Sequence, residues 1–273
     1  MSQGTKRILT AAIGIPFVLA LVWLGGWYFF SFVLVVALAS QFELLGMLRQ
    51  AGWDVRVFWS LLIGASLFLR PISPYWEAGV LIVVLLFCVF QLSGGPDKIQ
   101  ERIGSSVLSG VYPVLFLSFL IDIQWGAAAT SGTSSAFWLI LMLLCLIWST
   151  DTGAYYTGKK FGKQKFAPSI SPNKTWEGTI GGLVLAVVVA FGFKTWLLPD
   201  LSSVDVVVLA LLGGAWGQMG DLFESAFKRS CGVKDSGTIL PGHGGVLDRF
   251  DSLIFTTPAY YLYLTYATGL IGG

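Results

Sequence analysis

The run A-F-W-L-I-L-M-L-L-C-L-I-W-S-T-D-T-G-A-Y-Y, from Ala136 to Tyr156, decides what kind of protein this is. Every residue from Ala136 to Trp148 is apolar, and the run then closes on Ser149, Thr150 and Asp151. A bilayer core about 30 Å thick asks for roughly 20 apolar residues per helix, so this stretch reads as a membrane span. The carboxylate at its end needs a reason, because a charge at mid-depth costs about 2.5–3.5 kcal/mol on insertion scales.

The rest of the chain repeats that pattern. Of its 273 residues 55% are hydrophobic and only 12% charged, about half the charged fraction of a soluble domain. Span-length apolar runs begin near Ile8, Trp27, Val57, Glu77, Gly104, Ala136, Glu177, Val204 and Leu253. The expectation is an all-α, polytopic bundle of about nine spans. The third run is short and closely followed by Pro71. The first follows Lys6 and Arg7 as a signal peptide would, but no small-residue cleavage site comes after it and a second run starts beyond Gly25 and Gly26, so it reads as a retained helix.

With the N-terminus in the cytoplasm and nine spans, 15 of the 17 Lys and Arg residues fall on the cytoplasmic side; only Arg70 and Lys194 do not. This positive-inside bias sets the expected orientation. A net charge of +2 without a basic tract interleaved with aromatics argues against nucleic acid. Cys88, Cys145 and Cys231 are scattered and odd in number, which implies no disulfide framework. Residues 1–273 are taken as one integral membrane domain, 1–135 mainly scaffold spans and 136–273 the catalytic half.

Ionisable residues crowd that second half. Asp151, beside Thr150, Thr152, Gly153 and Tyr155, reads either as part of a helix-end cap or as lining a water-filled pocket. After it, five lysines fall within the 16 residues from Lys159 to Lys174. Lys159 to Lys165 suit anionic lipid head groups. In S-P-N-K-T-W-E-G, Ser171, Asn173 or Thr175 can cap the helix that opens at Glu177, and Lys174 beside such an N-terminus is expected to face a phosphate. The eighth span ends G-Q-M-G-D-L-F-E-S-A-F-K-R, with Asp221, Ser225 and Lys228 on one helical face. Gly213 and Gly217 mark close helix packing. Glu43, deep in the second span, reads either as a structural hydrogen-bond acceptor or as lining a polar cavity.

The next stretch, K-R-S-C-G-V-K-D-S-G-T-I-L-P-G-H-G-G-V-L-D-R-F-D, holds four cations, three carboxylates and the chain's one histidine, His243. Glycines let backbone approach a ligand. Cations and N–H groups suit phosphate oxygens, and hard carboxylate oxygens suit Mg²⁺ rather than zinc.

Ser225 to Asp251 resembles the signature of the phosphatidate cytidylyltransferases (CDP-diacylglycerol synthases). It fits S-x-hydrophobic-K-R-x4-K-D-x-small-x2-hydrophobic-P-x-H-G-G-hydrophobic-x-D-R-hydrophobic-D at every defined position. The segments S-T-D-T-G-A-Y and S-P-N-K-T-W-E-G are similar to that family as well. The resemblance implies transfer of CMP from CTP to phosphatidate, releasing pyrophosphate, at the cytoplasmic face of a bacterial inner membrane. It implies Mg²⁺ as cofactor, with allowance for a second cation, membrane lipid as surroundings, and allowance for a homodimer.

On that basis Asp221, Asp248 and Asp251 are expected to bind metal. Asp221, Asp248, Lys228, Arg229 and His243 are expected to be catalytic, and Lys174, Ser225, Lys234, Arg249, Asp151 and Asn173 to contact substrate. His243 is left between bonding the triphosphate, protonating pyrophosphate and a structural role. The rivals are a CTP-dependent polyprenol (dolichol-type) kinase, a cytidylyltransferase for another lipid phosphate, and a transporter with intramembrane charges.

Overall fold

In a bilayer core each backbone N–H and C=O must be satisfied within its own segment, so long apolar runs fold as helices. The computed structural model describes residues 3–240 and 244–271, with side chains from residue 12 onward. All nine apolar runs lie in helices. These are α1 (Gln3–Leu24), α2 (Gly26–Gln50), α3 (Val57–Phe68), α4 (Trp76–Leu92), α5 (Ile99–Ser109), α6 (Phe116–Ser131), α7 (Thr133–Phe161), α8 (Trp176–Trp196), α9 (Ser203–Leu211), α10 (Gly217–Ser230) and α11 (Leu247–Tyr263).

A wide π-turn, Gly110–Leu115, joins α5 to α6 around Pro113, whose missing N–H leaves a gap in the helical ladder. A second, Leu212–Trp216, joins α9 to α10. Among the described residues, five continuous helices are long and apolar enough to cross a membrane: α2, α5–α6, α7, α8 and α9–α10. The chain is an integral membrane protein. α3 has 12 residues, about 18 Å at 1.5 Å per residue, well short of a bilayer core.

The fold is all-α as expected, with one short addition. Lys165–Ala167 (β1) and Ser171–Thr175 (β2) pair antiparallel, with Lys165 opposite Thr175 and Ala167 opposite Ser171. The basic stretch between α7 and α8 is thus an ordered hairpin. Its backbone groups find partners in each other, and Gln164 O accepts from Trp176 N–H at 3.0 Å.

Packing divides the chain into two compact units that interleave along the sequence, where composition suggested a soft division near residue 135. The first takes in residues up to Ile15, Phe30–Ile121 and Phe227–Phe250; the second takes in Pro16–Phe29, Asp122–Ala226 and Asp251 onward. In the first unit Leu45, Leu48 and Val55 form one core, with Phe227 and Cys231 packed against it. Ile63, Leu67 and Phe87 form another. Polar groups inside this unit pair locally: the Gln41 amide donates to Ser60 O at 2.6 Å, and Ser60 and Ser106 hydroxyls meet at 2.8 Å.

Arg102, 2% exposed, donates to Gly94 O at 3.1 Å and Gly95 O at 2.6 Å and meets Asp54 at 3.4 Å. It ties together the two connections flanking α3 and α4.

In the second unit α7 and α8 touch backbone to backbone. A Cβ on Gly153 would lie 2.9 Å from Gly181 O, one on Gly178 2.8 Å from Ala154 O, and one on Gly182 2.5 Å from Thr150 O. Small residues at such a seam let helices approach closely in a membrane. Gly213 likewise abuts Leu146, its Cβ position 2.6 Å from that of Leu146, as its spacing with Gly217 suggested.

Candidate active site

In the second unit, the α7–α8 seam fixes one wall of a cavity of about 520 Å³ lined by Asp151, Tyr155, Asn173, Lys174, Gln218 and Asp221, among others. That volume is within the roughly 300–1,000 Å³ range of small-molecule sites. Strand β2 delivers Asn173 and Lys174 to the cavity and ends at Thr175, whose Oγ1 accepts from Gly178 N–H at 3.1 Å and caps α8. Of the three capping candidates in the sequence, Thr175 takes the position. Glu177, in the first turn of α8, holds the other side of the hairpin by accepting from Lys163 N–H at 3.1 Å and Gln164 N–H at 3.2 Å.

The ammonium of Lys174 lies 2.6 Å from Asp221 Oδ2 and 3.5 Å from Gln218 O. Ser225 donates to Asp221 Oδ1 at 3.3 Å, as their i, i+4 spacing on α10 allows. Asp151 lines the same cavity and accepts no hydrogen bond among the described residues. Asp151 and the Lys174–Asp221 pair therefore face one cavity. The buried side-chain nitrogen of Gln218 has no hydrogen-bond partner among the described residues, leaving a donor unsatisfied at the cavity wall.

The first unit holds a different arrangement. Lys228 Nζ is 2.6 Å from Asp248 Oδ1. Asp248 Oδ2 accepts from Ser236 N–H at 2.9 Å and Gly245 N–H at 2.8 Å. Burial alone would raise the Asp248 carboxyl, but the hydrogen bond and charge of Lys228 and the two backbone N–H groups outweigh it and hold the pKa below the usual carboxylate range. Asp248 sits in the first turn of α11, ahead of the apolar stretch that begins at Leu253.

Glu43, 5% exposed, accepts from Ser236 Oγ at 3.0 Å, Val246 N–H at 2.9 Å and Leu247 N–H at 2.8 Å. Of its two readings in the sequence, the hydrogen-bond acceptor is the observed one. Leu240 N–H donates to Gly244 O at 3.0 Å. Gly244 has φ +85°, a left-handed conformation in which glycine is at ease.

The remaining expected site residues are spread. Arg229 donates to Val233 O at 3.0 Å and closes the end of α10. Lys234 and Arg249 are exposed. Asp251 accepts from its neighbour Ser252 N–H at 2.6 Å. His243, with Pro241 and Gly242, lies outside the described residues. Ser236, buried and bonded to Glu43 while its N–H serves Asp248, was missed in the sequence reading; a lone serine in a polar loop gives no signal.

Within each unit, no three His, Cys, Asp or Glu side chains of the described residues gather in a metal-binding group. Mg²⁺ does not need such a cage. It binds through one or two carboxylates, retains waters and takes substrate phosphates as ligands. Asp221 and Asp151, hard oxygen donors in one open cavity, fit that requirement. Asp248 and Asp251 stand as expected ligands on the motif alone.

Helical spans with a carboxylate–lysine cavity at the α8 N-terminus define an integral membrane protein built to bind charged ligands. The profile described as "Cytidylyltransferase family" matches residues 5–267, and the chain belongs to that family; it is a nucleotidyltransferase. It is 35% identical over 275 residues to a phosphatidate cytidylyltransferase of Bacillus subtilis, covering 97% of this chain and 98% of that protein. It is 34% identical over 253 residues to one of Staphylococcus haemolyticus, covering 92% and 95%. A third, of Thermotoga maritima, is 31% identical over 285 residues, covering 99% and 100%.

Proposed function

We propose that this protein makes CDP-diacylglycerol, joining CTP and phosphatidate with release of pyrophosphate. The observation that carries the reading is the cavity in which Lys174 pairs with Asp221 beside Asp151, in a chain similar over almost its full length to phosphatidate cytidylyltransferases.

The attacking group is the phosphate monoester of the lipid, already ionised at pH 7, so the protein needs no general base. An oxygen of that phosphate forms a bond to the α-phosphorus of CTP while the bond from that phosphorus to the bridging oxygen breaks, and the electron pair leaves with pyrophosphate. Catalysis then rests on aligning two anions and neutralising charge on the reacting phosphorus and the leaving group. Lys174, released from Asp221, is placed to meet a phosphate, with Asn173 beside it. Lys228, Arg229, Lys234 and Arg249 supply further phosphate contacts, and Ser225 orients Asp221. Mg²⁺, when bound at Asp221 with Asp151, would neutralise phosphate charge; Asp248 and Asp251 enter that ligand set from the motif.

About nine spans in a bacterial inner membrane, with the short α3 counted among them, would put the N-terminus and the catalytic residues on the cytoplasmic side where CTP is found. The asymmetry of Lys and Arg along the chain supports that orientation.

The test is a product assay with purified protein, CTP labelled at the α-phosphorus, phosphatidate and Mg²⁺. A labelled CDP-lipid with stoichiometric pyrophosphate is expected, abolished by a chelator. Labelled CDP with no labelled lipid would replace the reading with a lipid kinase.

A further inference from the structure

We infer that Glu43, on α2 and remote in sequence from the catalytic motif, is a positioning residue for the reaction, fastening the loop between α10 and α11, which carries Lys234, and the start of α11, which carries Asp248 and Arg249; this rests on the function proposed above.

Helix α11 opens at Leu247, so the residue preceding it, where a capping side chain belongs, is Val246, which has no acceptor to offer. The buried N–H groups of Val246 and Leu247, which the helix itself leaves unpaired, are instead met by the Glu43 carboxylate. A carboxylate at a helix N-terminus gains from both the charge-assisted bonds and the macrodipole. The same carboxylate takes the Ser236 hydroxyl. Both ends of the loop, at 236 and at 246–247, are therefore fastened to one anion.

Asp248 repeats the tie one layer away. Its Oδ2 takes Ser236 N–H and Gly245 N–H, which leaves Oδ1 to hold Lys228. With Glu43 satisfying the helix start, Asp248 has an oxygen for Lys228.

The glycines of the loop are explained by the same contact. A Cβ on Gly237 would lie 2.5 Å from Glu43 Oε1, and one on Gly245 would collide with Glu43 Oε2 and Ser236 Oγ. Those two positions are glycine because the carboxylate occupies the space. A helix start can be satisfied by a local Ser or Asp, so a buried carboxylate reaching it from another helix is placed for where it holds the loop.

The test compares wild type with Glu43→Gln, which keeps the shape but turns an N–H toward donors. The wild-type product assay comes first; if it yields no CDP-lipid, the functional reading fails and Glu43 is not at issue. Given wild-type turnover, kcat of the folded variant is expected to fall about 30- to 100-fold, as for an ångström-scale misplacement of reacting groups. The KM for CTP should rise less than kcat falls, and the melting temperature in detergent should drop by no more than several degrees, leaving the variant folded at the assay temperature. Glu43→Asp, which keeps the charge on a shorter arm, should lie between the two.

Independently of activity, hydrogen exchange of residues 244–249 should quicken about tenfold while that of α7 and α8 is unchanged. A folded Glu43→Gln protein with wild-type kcat and wild-type exchange overturns the inference. So does a fall in activity fully matched by a fall in folded fraction. Should Glu43→Gln fail to fold, Ser236→Ala cuts the shared tie. A several-fold lower kcat with faster exchange then supports positioning, and wild-type values for both overturn it.

Discussion

Two carboxylate sites, one in each unit, differ in how much of their bonding capacity is used. In the first unit Glu43 and Asp248 are well bonded: each accepts three donors, and their partners are backbone N–H groups, a serine and a lysine. In the second unit Asp221 has one lysine and one weak serine contact, and Asp151 accepts no hydrogen bond among the described residues. A carboxylate whose lone pairs are taken by the fold sets geometry. One held by a single ammonium is ready to exchange it for a ligand. Lys174 and Lys228 both sit 2.6 Å from an aspartate, and the first pair borders a cavity of about 520 Å³.

The largest expected effect tests the open site. Asp221→Asn should lower kcat by about a thousandfold or more, with the melting temperature in detergent unchanged or raised, since the residue it replaces was underbonded. A parallel loss of stability would erase the distinction between the sites. Asp248→Asn should behave otherwise. From the sequence alone this variant is expected to lose activity in a folded protein. The structure adds a stability loss of about 1–3 kcal/mol, because the anion that takes Lys228 and two backbone N–H groups is removed; thermal unfolding in detergent reads it.

Next comes Lys174→Gln. Removing that ammonium should raise the KM for CTP about 10- to 30-fold, the weight of one charge-assisted phosphate contact, while leaving the fold intact. Steady-state kinetics with varied CTP check it.

The smallest effect is one of pH. The Asp248 pKa is depressed in the folded state, so its stabilisation is complete above the unfolded value of about 3.9 and fades only as pH falls through the lower folded value. The difference in melting temperature between wild type and Asp248→Asn should stay constant from pH 8 to about pH 5. A difference that shrinks within that window would show the tie to be weaker than its geometry.

The sequence exposed what depends on local composition. Apolar runs became helices because lipid leaves the backbone no other choice. Lys174 next to a capping Thr175 was readable because both features lie within one turn. Asp151 was legible as a charge where lipid should be. The hairpin of Lys165–Ala167 with Ser171–Thr175 was not, because its short strands are masked by lysines that suit any surface loop. The partners of Glu43 lie 193 to 204 residues away, and no spacing rule reaches that far. The α7–α8 glycines carry no such signal in the sequence, and only the facing backbone shows them to be a close contact.

The distance from Glu43 to its partners also sets an order of events during synthesis. At about 5–20 residues per second, Glu43 leaves the ribosome roughly 10 to 40 s before Val246 and Leu247 exist to bond it. Through that interval the carboxylate is inserted without its donors, and the loop cannot take its bonded form until the last helix arrives. A truncated chain lacking α11 would therefore carry the open cavity but lack a set loop. Synthesis of α11 is thus the step that lets the loop set.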